Sequence, residues 1–290
     1  MAKSDTKIGL IQLSADPDQQ VNWQKHEAEI RDVAKAGAQI IVLQELFSTL
    51  YFCDEERQDG FAYAETIPGP ATDYFSVIAK ELGVVLVLSL FEKRAPGIYH
   101  NTAAVLDADG SYLGKYRKMH IPDDPGYYEK YYFTPGDLGY KSFSTQYGNI
   151  GVLICWDQWY PEAARLTAME GADLLVYPTA IGWERSEQES INQEQREAWI
   201  TIQRSHAIAN GIPVVAVNRV GQEGEQLFWG SSFVCNGHGR ILKQLSSDKE
   251  ESAVVTVDLA EKEYYRQTWP YFRDRRIDSY EKIKQRWGKE

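Results

Sequence analysis

A chain of 290 residues with 43% hydrophobic and 12% aromatic residues has ample material for a sizeable core, which excludes a disordered chain. Its formal charge of -11 opposes non-specific association with nucleic acid or an anionic membrane, since both would repel it on average. Cys53, Cys155 and Cys235 lie far apart, with no spacing that pairs them with the histidines, so neither a disulfide framework nor a metal site is expected.

The opening stretch "MAKSDTKIGLIQLSAD" has too short an apolar run for a signal peptide, and nowhere do about 18 apolar residues follow one another. A cytoplasmic protein is the expectation. Along the chain, four segments share one grammar, a helical stretch closed by glycine and followed by a buried-strand run: "DVAKAGAQIIVLQE", "VIAKELGVVLVLSL", "LTAMEGADLLVYPT" and "SHAIANGIPVVAVNR". Glycine at a helix end supplies the left-handed residue that stops it, and Ile/Val/Leu runs without polar alternation suit strands covered on both faces. Layered α/β architecture follows. Two further pairs look alike: "KIGLIQLSAD" with "NIGVLICWDQ", and "AAVLDADGSYLGKY" with "SFVCNGHGRILKQL", whose Asp-Gly and Asn-Gly mark hairpins. The halves of the chain therefore echo each other, and a sandwich of two sheets with helices outside would accommodate both. No linker-like or low-complexity run divides the chain, so one domain spanning 1–290 is expected. Its aromatic and basic tail, about 264–290, reads as an arm packed on another subunit, because aromatics and arginine favour interfaces.

Reactive side chains follow three apolar or hairpin segments: Glu45 after "IIVLQ", Lys118 in "GKYRKMHIP", and Cys155 after "GVLI". Strand ends and the loops beyond them are where sites assemble in such folds. Taken singly, each has a plainer account. Cys155 fits the end of a core strand, Glu45 an exposed carboxylate, and Lys118, among Lys115, Arg117 and His120, a solvated charge cluster. The context "CWDQWYPE" places the thiol at a sharp turn before a helix that starts near Pro161, where backbone N–H groups would lower its pKa and could receive an oxyanion.

The ordered set "LQELF" around Glu45, "YRKMHIP" around Lys118, "YYEKYYFTPGD" around Glu129 and "GVLICWDQWYPE" around Cys155 resembles the nitrilase superfamily of carbon-nitrogen hydrolases. The similarity runs over nearly the whole chain. It implies a four-layer αββα sandwich, a homo-oligomer of two or more subunits, no metal and no cofactor. It also implies a catalytic set in which Cys155 is the nucleophile, Glu45 the proton acceptor, Lys118 the proton donor and oxyanion partner, and Glu129 a supporting carboxylate. Many members carry proline before the first glutamate; Gln44 stands here, which bears on the branch of the family. The wording of the motifs and tail is close to the branch acting on carbamoylated amines, whose substrate has a ureido head, a four-carbon spacer and a terminal ammonium. Aromatic walls and a carboxylate would hold such a molecule, and Tyr51, Asp123, Asp124, Trp156, Trp183 and Glu184 are the candidates. A substrate ending in a carboxylate, such as an N-carbamoyl amino acid, would instead need an arginine, for which Arg185 is placed. A binding protein with an inert Cys155 is the alternative outside the enzymes.

Overall fold

The chain alternates strand and helix through β1 (Asp5–Gln12), α1 (Gln19–Lys35), β2 (Ile40–Val42), α2 (Pro70–Leu82) and β3 (Val85–Ala95), then forms a hairpin of β4 (Ile98–Leu106) and β5 (Tyr112–Arg117). The computed structural model describes residues 5–184 and 188–288. A short α3 (Glu129–Tyr132) leads into β6 (Ser142–Thr145), β7 (Gly148–Val152), α4 (Pro161–Met169), β8 (Leu174–Thr179) and β9 (Gly182–Glu184). The long α5 (Glu189–Asn210) precedes β10 (Val214–Asn218), β11 (Val220–Glu223), β12 (Gln226–Trp229), β13 (Phe233–Cys235) and β14 (Ile241–Gln244). The chain then returns through β15 (Glu251–Asp258) and α6 (Glu261–Thr268).

One six-stranded sheet runs β15-β1-β2-β3-β4-β5, the other β14-β13-β10-β8-β7-β6. Taken from β15 and from β6, both follow the same succession of antiparallel, parallel, parallel, antiparallel and antiparallel neighbours. β1 thus corresponds to β7, β2 to β8, β3 to β10, and the hairpin β4–β5 to β13–β14. The echoes in the sequence are the trace of this repeated topology.

Strand periodicity sorts the apolar side chains between layers. Ile8, Leu10, Ile40 and Val42 join Ile150, Val152, Leu174 and Val176 in the core between the sheets. Ile11, Ile41, Leu86 and Leu88 point the other way and bury Ile30, Val33, Phe75 and Ile78 of α1 and α2. On the far side α4 and α5 contribute Ala163, Ala164, Trp199 and Ala207 to the core of the second sheet. The result is the four-layer αββα sandwich. Each fully buried aliphatic or Phe side chain favours it by roughly 1.5–3 kcal/mol. The helix-stopping glycines behave as read: Gly83 and Gly211 take φ of 65° and 63°, a conformation that costs other residues roughly 1–2 kcal/mol.

Candidate active site

β2, β5 and β7 end on one side of the seam between the sheets, and the residues beyond them meet. Glu45 lies past β2, Lys118 follows β5 directly, and Cys155 begins a 3-10 turn, Cys155–Trp159, past β7. The Glu45 amide donates to the Thr179 carbonyl at the end of β8 at 3.3 Å, tying one sheet to the other. The Lys118 amide is held by the Asn101 carbonyl on β4 at 2.9 Å. Two of these stretches pass through left-handed backbone at a residue other than glycine, Cys155 with φ 41° and Leu46 with φ 50°. Such geometry costs about 1–3 kcal/mol and persists only where the surroundings impose it.

The Lys118 ammonium is fully buried and donates to Glu45 Oε1 at 2.8 Å and Glu129 Oε2 at 2.6 Å. Asn101 Nδ2 also donates to Glu45 Oε1, at 2.7 Å, and the Tyr51 hydroxyl to Glu129 Oε1, at 2.9 Å. Glu45 Oε2 is buried with no protein partner, so the carboxylate keeps one acceptor open. Cys155 Sγ points its weak donor at the Ala180 carbonyl, 3.7 Å away. Two carboxyl groups crowd one cation in a buried cluster, and the acid–base behaviour follows. Burial pulls the Lys118 ammonium down, but Glu129 and Glu45 outweigh it and hold its pKa well above the ordinary value. Burial, reinforced by Glu45, pushes the Glu129 carboxyl up to about 7 against the pull of Lys118. Burial and the Glu45 charge push the Cys155 thiol well above its ordinary range, overriding Lys118. The low thiol pKa anticipated from the turn is therefore corrected: burial and the Glu45 and Glu129 carboxyls outweigh Lys118 and raise it instead.

Beside Cys155 and Glu129 opens a cavity of about 380 Å³, whose walls include Pro122, Tyr127, Trp156, Trp159, Ile181 and Trp229. The acidic residues on its described lining are Asp124 and Glu129, and no Lys or Arg is among the described lining residues. Of the sequence candidates, Trp156 and Asp124 line the cavity. Tyr51 does not; it is buried behind Glu129, engaged through its hydroxyl. Asp123 is exposed beside the turn that Asp124 and Tyr127 close with reciprocal backbone bonds of 3.3 and 2.8 Å. Trp183 is held off the cavity by its indole N–H, which donates to the Asn192 carbonyl of α5 at 3.1 Å, and it lines an adjoining hollow with Arg196. The Glu184 side chain and all of Arg185 lie outside the described residues.

Sequence reasoning passed over Tyr127, Asn101 and Asp157. The Tyr127 hydroxyl receives the Gly182 amide at 3.0 Å and so fixes one wall to β9. Asp157 is fully buried: Oδ2 accepts the Ile154 amide at 3.0 Å and the Tyr116 hydroxyl at 2.8 Å, and Oδ1 accepts the His120 amide at 3.1 Å. It thereby locks the Cys155 turn to the segment carrying Lys118. Only its place two residues after the thiol hinted at this.

The carbon-nitrogen hydrolase family matches residues 7–267, and the chain belongs to that family. It is 45% identical over 289 residues to an N-carbamoylputrescine amidase of Oryza sativa subsp. japonica, covering 96% of this chain and 94% of that protein. A citrullinase of Francisella tularensis is 40% identical over 285 residues, covering 97% and 98% of the two chains. Among solved structures, a carbon-nitrogen hydrolase from Helicobacter pylori G27 superposes with a TM-score of 0.95 at 44% identity, over 98% of this chain and all (100%) of that one.

Proposed function

We propose that the protein hydrolyses N-carbamoylputrescine to putrescine, carbon dioxide and ammonia, as a step of polyamine synthesis from agmatine. The observation that carries this reading is the cavity: aromatic and apolar walls for a four-carbon spacer, Cys155 and Glu129 at one part of the lining, Asp124 for a terminal ammonium, and no cation among the described lining residues to welcome a carboxylate. The identity to plant N-carbamoylputrescine amidases supports it.

In this reading Glu45 takes the Cys155 proton on its open oxygen, since a thiol held protonated by burial needs a base at the moment of attack. Sulfur adds to the ureido carbon, and the oxygen becomes an oxyanion between the Lys118 ammonium and the Trp156 amide of the 3-10 turn. Collapse breaks a carbon–nitrogen bond, and the departing nitrogen takes the proton that Glu45 had received from Cys155, which restores the Glu45 carboxylate. Water, deprotonated by Glu45, then cleaves the carbamoyl thioester, and the resulting carbamate loses carbon dioxide. Glu129 holds Lys118 in place. The buried free thiols support a reducing, cytoplasmic setting. Exposed Trp269, Ile277, Ile283 and Trp287 of the C-terminal arm support its packing on a second copy.

Ammonia release tests this on N-carbamoylputrescine, citrulline, N-carbamoyl-β-alanine and butylurea, which has the same spacer without the ammonium. N-carbamoylputrescine should be preferred. Because Asp124 is exposed, Asp124→Asn should raise its KM by only roughly two- to fivefold and leave butylurea unchanged. Cys155→Ala and Glu45→Gln should abolish turnover in folded protein. Preference for a carboxylate-bearing substrate would overturn the substrate assignment, and activity in either variant would overturn the roles.

A further inference from the structure

The residue after β10, Arg219, is fully buried and takes no part in the cavity lining. Its Nη2 donates to the Glu45 carbonyl at 2.8 Å and the Leu46 carbonyl at 2.9 Å, and both terminal nitrogens lie 3.4 Å from the Thr49 carbonyl. Nη1 pairs with Glu223 at 2.8 Å, and Glu223 Oε2 accepts the Tyr51 amide at 2.6 Å. The guanidinium also lies over the rings of Tyr51 and Phe228, 5.9 and 5.3 Å from their centroids. Apart from Glu223 itself and the Phe228 ring, these contacts fall on the segment 45–51, which begins with the carboxylate beside Lys118, turns through left-handed Leu46 and ends with the tyrosine that holds Glu129.

We propose that the Arg219–Glu223 pair is a positioning clamp for catalysis, setting Glu45 and, through Tyr51, Glu129 around Lys118. Carbonyls converging on one point repel one another unless a cation with several donors in a fixed fork stands between them, and arginine provides that fork where lysine provides a point charge. Glu223 cancels the added charge, so the clamp shapes the segment without adding net charge beside the Lys118 cluster. The same pair reaches both carboxylates, from the backbone of one and through the tyrosine partner of the other. It therefore couples the groups that come from opposite ends of the cluster. The left-handed turn at Leu46 has its own carbonyl in this fork, while its amide is received by the Ser89 hydroxyl at 3.2 Å. The strained residue is thus held from both sides.

The inference rests on Glu45 acting as the base, and the test separates the two. Arg219→Lys keeps the charge and loses the fork. In folded protein its kcat should fall about 10- to 100-fold with KM within threefold, as expected when a reacting group is displaced by about an ångström. The pH at which iodoacetamide blocks Cys155 should also shift, a readout that a brace serving stability alone would leave in place. Glu223→Gln, which preserves the shape and breaks the charge pair, should show the same split and carries the test alone if Arg219→Lys does not fold. Parent-like kcat and alkylation profile in either folded variant, with Glu45→Gln inactive, overturns the clamp. Activity in Glu45→Gln overturns the underlying reading instead.

Discussion

Glu129→Gln separates catalysis from stability. In the fold its carboxyl titrates near about 7 instead of the ordinary 4.5, because burial outweighs Lys118. At about 1.4 kcal/mol per pKa unit, keeping it ionised opposes folding by about 3 kcal/mol. Below pH 4.5 the proton is bound in both folded and unfolded chains and nothing is lost. Between there and pH 7 the folded state holds a proton that the unfolded chain releases, so stability drops as pH rises, and above 7 the full penalty applies. Glutamine stands in for the protonated acid at every pH. The variant should therefore melt at or above the parent temperature at pH 8, with the gap closing toward pH 4.5, as scanning calorimetry would show. Turnover should move the other way. Lys118 loses one of its two charged partners, 2.6 Å away, and a charged hydrogen bond of about 1.5–3 kcal/mol corresponds to roughly 10- to 150-fold in kcat. The acid limb of kcat/KM near pH 7 should vanish with it. A variant that melts several degrees below the parent at pH 8, or one with parental kcat, would refute this account of Glu129.

Tyr51→Phe removes the donor that lowers the Glu129 pKa, so the acid limb should move to higher pH while the activity plateau falls less than tenfold; a pH–rate series on the purified variant measures both. Asp157→Ala would leave the Ile154 amide, Tyr116 hydroxyl and His120 amide without their acceptor at a buried position. At about 1–3 kcal/mol for each orphaned group, the urea midpoint should drop sharply or soluble protein disappear. In the resting protein, blocking of Cys155 by iodoacetamide should keep accelerating through pH 9, and a plateau below pH 7 would contradict the raised thiol pKa.

What the sequence reveals and what it conceals divides along physical lines. Glu45, Lys118 and Cys155 stand out because each interrupts or follows an apolar or hairpin pattern whose period is local. Their partners carry no such mark. Asn101 touches Glu45 across 56 positions and Arg219 touches the same residue across 174, so only the folded chain brings them together. Arginine and aspartate are mostly exposed, and nothing around Arg219 or Asp157 signals that these two are buried exceptions held by several partners. Tyr51 and Trp183 were expected along the cavity by their proximity to the motif strands. One is turned inward by a carboxylate and the other drawn aside by α5.

The repeated halves explain why the thiol is so deeply placed. Ile8 pairs with Ile40 in the first sheet as Ile150 pairs with Leu174 in the second, and the register continues identically through Leu10–Val42 and Val152–Val176. Extended along the chain, this equivalence sets Cys155 against Leu13 and Glu45 against Thr179. Leu13 is buried core, its amide held by the Gln44 side chain at 2.9 Å, whereas Cys155 occupies the equivalent position in a left-handed turn. The Glu45 amide bonds the carbonyl of its own counterpart, Thr179, so this carboxylate sits on the seam where the halves meet. A thiol at a position built for an apolar side chain inherits that burial and hence its raised pKa. The other half brings the paired Glu45 carboxylate and Lys118 ammonium to the same site. In the proposed mechanism, being core and being nucleophile are thus one property of Cys155, and the cost of the first sets the need for Glu45 and Lys118.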